Sequence, residues 1–282
     1  MITALRDIVR DYRRSSHDAR LQRRTPDIDA FLISYPKSGR TWLRYLLSVY
    51  LARHASLDFD PDLYSTFRVM PNFDLDKQRG LPSRLQTRAG NLPLIAVSHR
   101  GFETDLFARV PVVMLVRDPR DVLVSSYFHQ TRHKHRFDGS IAEFLEYEAF
   151  GAASIAEYHN EWAKGLECRS SLVLSYEEMT KATVETVEAI LAFLGIPVDA
   201  TWLNEAVEKA RFDKMQKKER ETGIPGHEYN KKDADDSRVR RGKVAGYTDY
   251  LSPEDDARIR QIFSDRLSDE AWSLFQSTGF AP

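Results

Sequence analysis

Cysteine is nearly missing from this 282-residue chain, in which Cys168 stands alone. An internal disulfide is therefore excluded, and so is a cysteine-built metal site. Net charge is also almost absent, −1 from 41 Lys and Arg against 42 Asp and Glu, so no global field draws the chain to nucleic acid or to an anionic membrane. Long apolar runs are lacking too. The arginine-rich stretch from Met1 to Thr25 has no continuous apolar core and reads neither as a signal peptide nor as a membrane anchor, while Asp7, Asp11 and Asp18 speak against a targeting peptide. These absences fit a reducing, cytoplasmic setting with no membrane span.

What is present begins with a short apolar run, Phe31 to Ile33, that reads as a buried strand. From Thr41 the apolar spacing changes to Trp42, Leu43, Leu46, Leu47, Tyr50 and Leu51, a helical stripe. Between them lies Pro36-Lys37-Ser38-Gly39, a turn in which glycine lets the chain wrap closely around a ligand. Backbone N–H groups at a helix start, with a lysine beside them, make an anion site suited to phosphate. The spacing is not that of the common nucleotide loop GxxxxGK[ST], because here the lysine precedes the glycine.

Further along, Leu92 to Val97, Val112 to Val116 and Leu172 to Ser175 read as strands. Asp118 has helix-capping chemistry, with Pro119 at the first helical position and Asp121 at the third. Helical patterns cover Ile2 to Tyr12, Ile141 to Phe150, Ala153 to Leu166, Thr183 to Leu194, Thr201 to Ala210, Pro253 to Leu267 and Glu270 to Ser277. The loop-rich stretch from Ala55 to Asn91 is a candidate wall of an acceptor pocket. Arg211 to Arg241, dense in charge and carrying Gly223, Pro225 and Gly226, reads mostly as a mobile surface loop that closes over the site. Strands alternating with helices predict a single α/β domain over residues 1–282, with a core of about 28–280. Its central parallel sheet is flanked by helices on both faces, and ligands bind at the strands' carboxyl ends.

Written as Tyr-Pro-Lys-Ser-Gly-x-Thr-Trp, residues 35–42 resemble the 5′-phosphosulfate loop of the sulfotransferases that use 3′-phosphoadenosine 5′-phosphosulfate (PAPS), except at Arg40, where many members have Thr. The segment from Arg117 to Ser125 resembles that family's 3′-phosphate segment, and Ser125, two helical turns past the cap, shares a face with Arg117. Arg240-Arg241-Gly242-Lys243-Val244-Ala245-Gly246-Tyr247 is similar to its second 3′-phosphate segment, with Ala245 where Gly is usual and Tyr247 for Trp.

The resemblance implies a P-loop-like fold and roles for named residues. Lys37 and the N–H groups of Ser38, Gly39, Arg40 and Thr41 would hold the 5′-phosphosulfate. Arg117, Ser125, Arg240, Arg241 and Gly242 would hold the 3′-phosphate, and Trp42, Tyr176 and Phe212 would contact adenine. His99 would be the general base, its imidazole suited to proton transfer near neutral pH. Lys37 would also act in catalysis, neutralising charge on the bridging oxygen. Val97 stands where a lysine is frequent in the family.

The cofactor implied is PAPS, with PAP as product and no metal, in a cytosolic-type enzyme. The acceptor would be a hydroxyl, less readily an amine, of a small molecule or carbohydrate. The basic run Arg132 to Arg136 would suit an anionic or sugar acceptor, although cations at a helix end are also expected on dipole grounds. No nucleic-acid partner is implied, and oligomeric state stays open. Two rival readings are a P-loop-type kinase using ATP and magnesium, and a non-catalytic PAP-binding or partner-binding module. The kinase needs a metal-holding carboxylate where Arg117 stands at the end of the central strand.

Overall fold

The computed structural model describes residues 14–81, 92–107, 109–222 and 242–281. The surface helix expected at Ile2 to Tyr12 lies outside the described residues, as do Arg240 and Arg241. Four strands, β1 (Ala30–Ile33), β2 (Ile95–Ser98), β3 (Val112–Val116) and β4 (Ser171–Ser175), form one sheet in the order β2-β1-β3-β4, parallel throughout. Alternation within β3 explains its unbroken apolar run. Val112, Met114 and Val116 join a layer with Trp162, Phe263 and Phe275, while Val113 and Leu115 join the opposite layer with Leu46, Tyr50 and Ile190.

β1 and β3 are neighbours, yet the helices that follow them diverge. The Arg40–His54 helix packs Leu43 and Leu46 into one layer, whereas the Pro119–Phe128 helix packs Val122 and Leu123 into the other. Adjacent strands whose chains leave to opposite faces open a crevice above their carboxyl ends. The second helix starts as its sequence dictates, with an Asp118 oxygen accepting from the Arg120 N–H at 2.9 Å and Pro119 in the first turn. Beyond Phe128 it widens into a π turn, His129–His133.

Three expectations need correction. Arg211 to Arg241 is not mainly a loop over its described part, because Phe212–Thr222 is a helix. Met215 and Glu219, one turn apart, are both buried, so the charge density concealed a single packed face. The helix expected from Ile141 to Phe150 ends at Leu145, after which the chain turns tightly enough for the Gly151 N–H to reach the Tyr147 carbonyl at 2.6 Å. Tyr147 and Phe150 pack against the core there rather than extending the helix. The strand expected from Leu92 begins only at Ile95, where its pairing with Ala30 starts.

Candidate active site

The loop after β1 is coiled by two left-handed residues, Lys37 at φ 74° and Gly39 at φ 95°. Gly39 is required twice over. Beyond its φ, a Cβ there would sit 2.4 Å from Cδ2 of Tyr176, so only glycine lets the loop lie on that ring. Tyr176, the residue after β4, is 7% exposed and meets Trp42 edge-on at 5.6 Å. Trp42 is anchored in turn, its Nε1–H donating to the Ala210 carbonyl at 3.0 Å. The Ser38 side chain is buried and its N–H turns back to the Tyr35 carbonyl at 3.4 Å. Donors for an anion therefore lie after Ser38, from Gly39 into the first helical turn.

Arg117, the residue after β3, binds three segments together. Its guanidinium donates to Asp121 Oδ2 at 3.1 Å, to the Lys37 carbonyl at 3.3 Å and to the Lys243 carbonyl at 3.2 Å, and lies 4.3 Å above the Tyr176 ring. Its Nε is buried with no acceptor. Asp121 also accepts from the Tyr247 N–H at 2.8 Å, and burial pushes its carboxyl up against the pull of Arg117. These contacts bring the 242–250 segment over the crevice. Arg120 serves the scaffold, bonded twice to Asp118 at 2.9 and 2.6 Å and once to Asp256 at 2.9 Å. Asp118 is thereby engaged by its own helix start.

Ser125 lines the same cleft as Arg117, as their two-turn spacing implies. Phe212, 37% exposed, rests against Gly242, where a Cβ would come within 2.5 Å of its ring. Ala245 adopts φ 56°, the left-handed conformation that the family's usual glycine takes without strain. Sequence reasoning missed Glu177. Burial raises its carboxyl to about 7, one oxygen accepts from the Asp118 N–H at 3.1 Å, and the other is buried with no partner.

His99 follows β2 directly, and the pairing of Ile33 with Ser98 sets it beside Ser34. Its Nδ1 lies 2.7 Å from the Ser34 carbonyl, which can only accept, so Nδ1 carries the proton and Nε2 is the basic nitrogen. Val97, where the family often has lysine, is buried at 1% exposure.

Lys37, Gly39, Arg40, Thr41, Trp42, His99, Arg117, Ser125, Tyr176, Phe212 and Gly242 all line one cleft of about 630 Å³. Of the stretch after Ala55, Leu63, Thr66, Phe67, Asn72 and Arg79 line this cleft. Asn72 bridges to Val97, and the Phe73 N–H donates to the Val97 carbonyl at 2.8 Å, which pins this wall to the edge of β2. Arg44, His129, Gln130, Lys134 and Arg136 also line the cleft. Of the basic run Arg132 to Arg136 that the sequence singled out, Lys134 and Arg136 line the cleft while staying exposed. Among the described residues, no helix is long and apolar enough to cross a membrane.

Residues 27–271 match the family model of the sulfotransferase domain. The chain belongs to the sulfotransferase family. It is 25% identical over 260 residues to the 3-alpha-hydroxysteroid sulfotransferase of Cavia porcellus, covering 88% of this chain and 87% of that protein. Sulfotransferase 2A1 of Homo sapiens is 27% identical over 199 residues, 67% of each chain. Among solved structures, a mouse sulfotransferase complexed with PAP superposes with a TM-score of 0.62 at 22% identity over 88% of each chain. A retinol dehydratase in complex with androsterone and PAP gives 0.57 at 22% identity, covering 90% of this chain and 82% of the other. Both likenesses show the fold.

Proposed function

We propose that this sulfotransferase takes sulfonate from PAPS and transfers it to a hydroxyl, less readily an amine, of a small-molecule or carbohydrate acceptor, with His99 as general base. The observation that carries this reading is the His99 ring, fixed by Ser34 with Nε2 as its basic nitrogen, in one cleft with Lys37 and Arg117. The residues fit the donor. Gly39 keeps the loop clear of a side chain, and the buried Arg117 Nε awaits an acceptor. Bound PAPS would supply the activated sulfonate. Lys37, Gly39, Arg40 and Thr41 would hold its 5′ end and Arg117, Ser125, Arg240 and Arg241 its 3′-phosphate, while Trp42, Tyr176 and Phe212 would frame the adenine. His99 Nε2 would take the acceptor's proton, and Lys37 would offset charge building at the leaving end.

The relatives include proteins named for steroids, and an amine sulfotransferase of Oryctolagus cuniculus at 22% identity over 86% of this chain and 82% of that protein, which supports an alcohol or amine acceptor. A cytoplasmic setting belongs to the same reading. Two measurements test it. Incubation with PAPS and a metabolite extract should yield products heavier by one sulfonate. In calorimetry PAP should bind at least about a hundredfold tighter than AMP, about 2.7 kcal/mol, and Arg117→Ala should erase much of the gap. Equal affinity for PAP and AMP in the unmodified protein would remove the 3′-phosphate assignment and most of the case for PAPS.

A further inference from the structure

Charge is distributed unevenly between the chain and its cleft. The whole molecule is nearly neutral, yet the only acidic residue among the described residues lining the cleft is Asp121, already engaged by Arg117 and the Tyr247 N–H. Against it stand cations beyond those assigned to the donor: Arg44, Arg79, Lys134 and Arg136, together with Arg211 and Lys243, which pair with Asp213 and Asp249. Their placement follows from the fold. Arg44 donates to Asn72 Oδ1 at 2.5 Å and stacks 4.5 Å above Phe67. Asn72 bridges to Val97, two residues before His99, and its N–H donates to the Arg79 carbonyl at 2.7 Å. This cationic wall thus hangs on the strand that ends in the general base.

The second group comes from the far end of the helix that carries Ser125. Lys134 and Arg136 lie beyond the π turn, where the Arg136 N–H returns to the Gln130 carbonyl at 2.9 Å. Among the described residues neither has a carboxylate within ion-pair distance. Beside them Gln130 is 4% exposed, lines the cleft, and has an amide oxygen with no donor. Like charges gathered on a concave surface repel one another and raise the local concentration of anions. Arg79 is only weakly offset by Asp76 at 3.4 Å, in a pair about one-third exposed on each side.

We propose that the acceptor is an anionic alcohol, in which a carboxylate, sulfate or phosphate is held by Arg79, Lys134 and Arg136 while its hydroxyl faces His99. This rests on the sulfotransferase mechanism proposed above and names the substrate class of that site. The test uses matched probes with PAPS: glycerol against glycerol phosphate, glucose against glucuronate, phenol against para-hydroxybenzoate. The anionic member of a pair should show a kcat/KM at least about tenfold higher, and the triple variant Arg79→Gln, Lys134→Gln, Arg136→Gln should reduce that preference below about threefold. PAP affinity should change less than about twofold, since Lys134 and Arg136 are exposed and Arg79 is only half-buried, which leaves folding intact. Equal rates within the pairs, a preference for the neutral members, or a preference that survives the triple variant would overturn the proposal. So would failure of every anionic probe with an enzyme that binds PAP tightly. Failure of the unmodified protein to bind PAP would instead strike the donor assignment.

Discussion

The donor end of the cleft and its outer wall are built on opposite plans. At the donor end each strand delivers one residue just past its carboxyl terminus: β1 leads to Lys37, β2 to His99, β3 to Arg117 and β4 to Tyr176. Those positions inherit the rigidity of a sheet buried on both faces. The wall, by contrast, is carried by residues 63–79, fastened to the edge of β2 through Pro71 and Phe73, and by the turn after Phe128. Under the proposed mechanism, chemistry that must hold its geometry would sit on the sheet, and discrimination among acceptors would fall to segments that can vary without disturbing it.

Substitutions can break or sharpen that contrast. His99→Ala carries the largest expected effect, a loss of ~10²–10⁴ in turnover with PAP affinity nearly unchanged. Steady-state kinetics and calorimetry separate the two, and near-normal turnover would hand the chemistry to the wall. Gly39→Ala comes next. Forcing a side chain into a left-handed site against Tyr176 should cost ~1–3 kcal/mol of stability, read by urea denaturation, and weaken PAP binding at least tenfold, as ~1.4 kcal/mol per decade implies. An unaffected loop would show that the donor end is softer than its contacts suggest.

Glu177 offers the smallest and most specific probe. Its carboxyl, raised by burial from 4.5 to about 7, holds its proton more tightly folded than unfolded. As pH rises through that window the folded protein is the last to release the proton, so stability falls. Glu177→Gln should flatten this slope in denaturation curves taken at several pH values. A slope that persists in the variant would mean that Arg117 compensates the buried carboxylate more fully than desolvation penalises it.

What the sequence determined by itself was local. The apolar run of β3, the Asp118-Pro119 helix start and the glycine between Lys37 and Arg40 each owe their structure to neighbours a few positions away, and all could be read before any fold was known. The likeness of residues 35–42 and 117–125 to known segments then named their chemistry, and the family model supports the class. Tertiary structure decided the rest. The buried face of Phe212–Thr222 was concealed by charge, and only packing revealed that Met215 and Glu219 point inward. Arg117 turned out to hold Asp121, Lys37 and Lys243 together as well as to face the cleft, because three segments distant in sequence meet at one strand end. Arg79 and Lys134 share a cleft for the same reason: the sheet order sets which loops converge, and no short-range pattern encodes strand order.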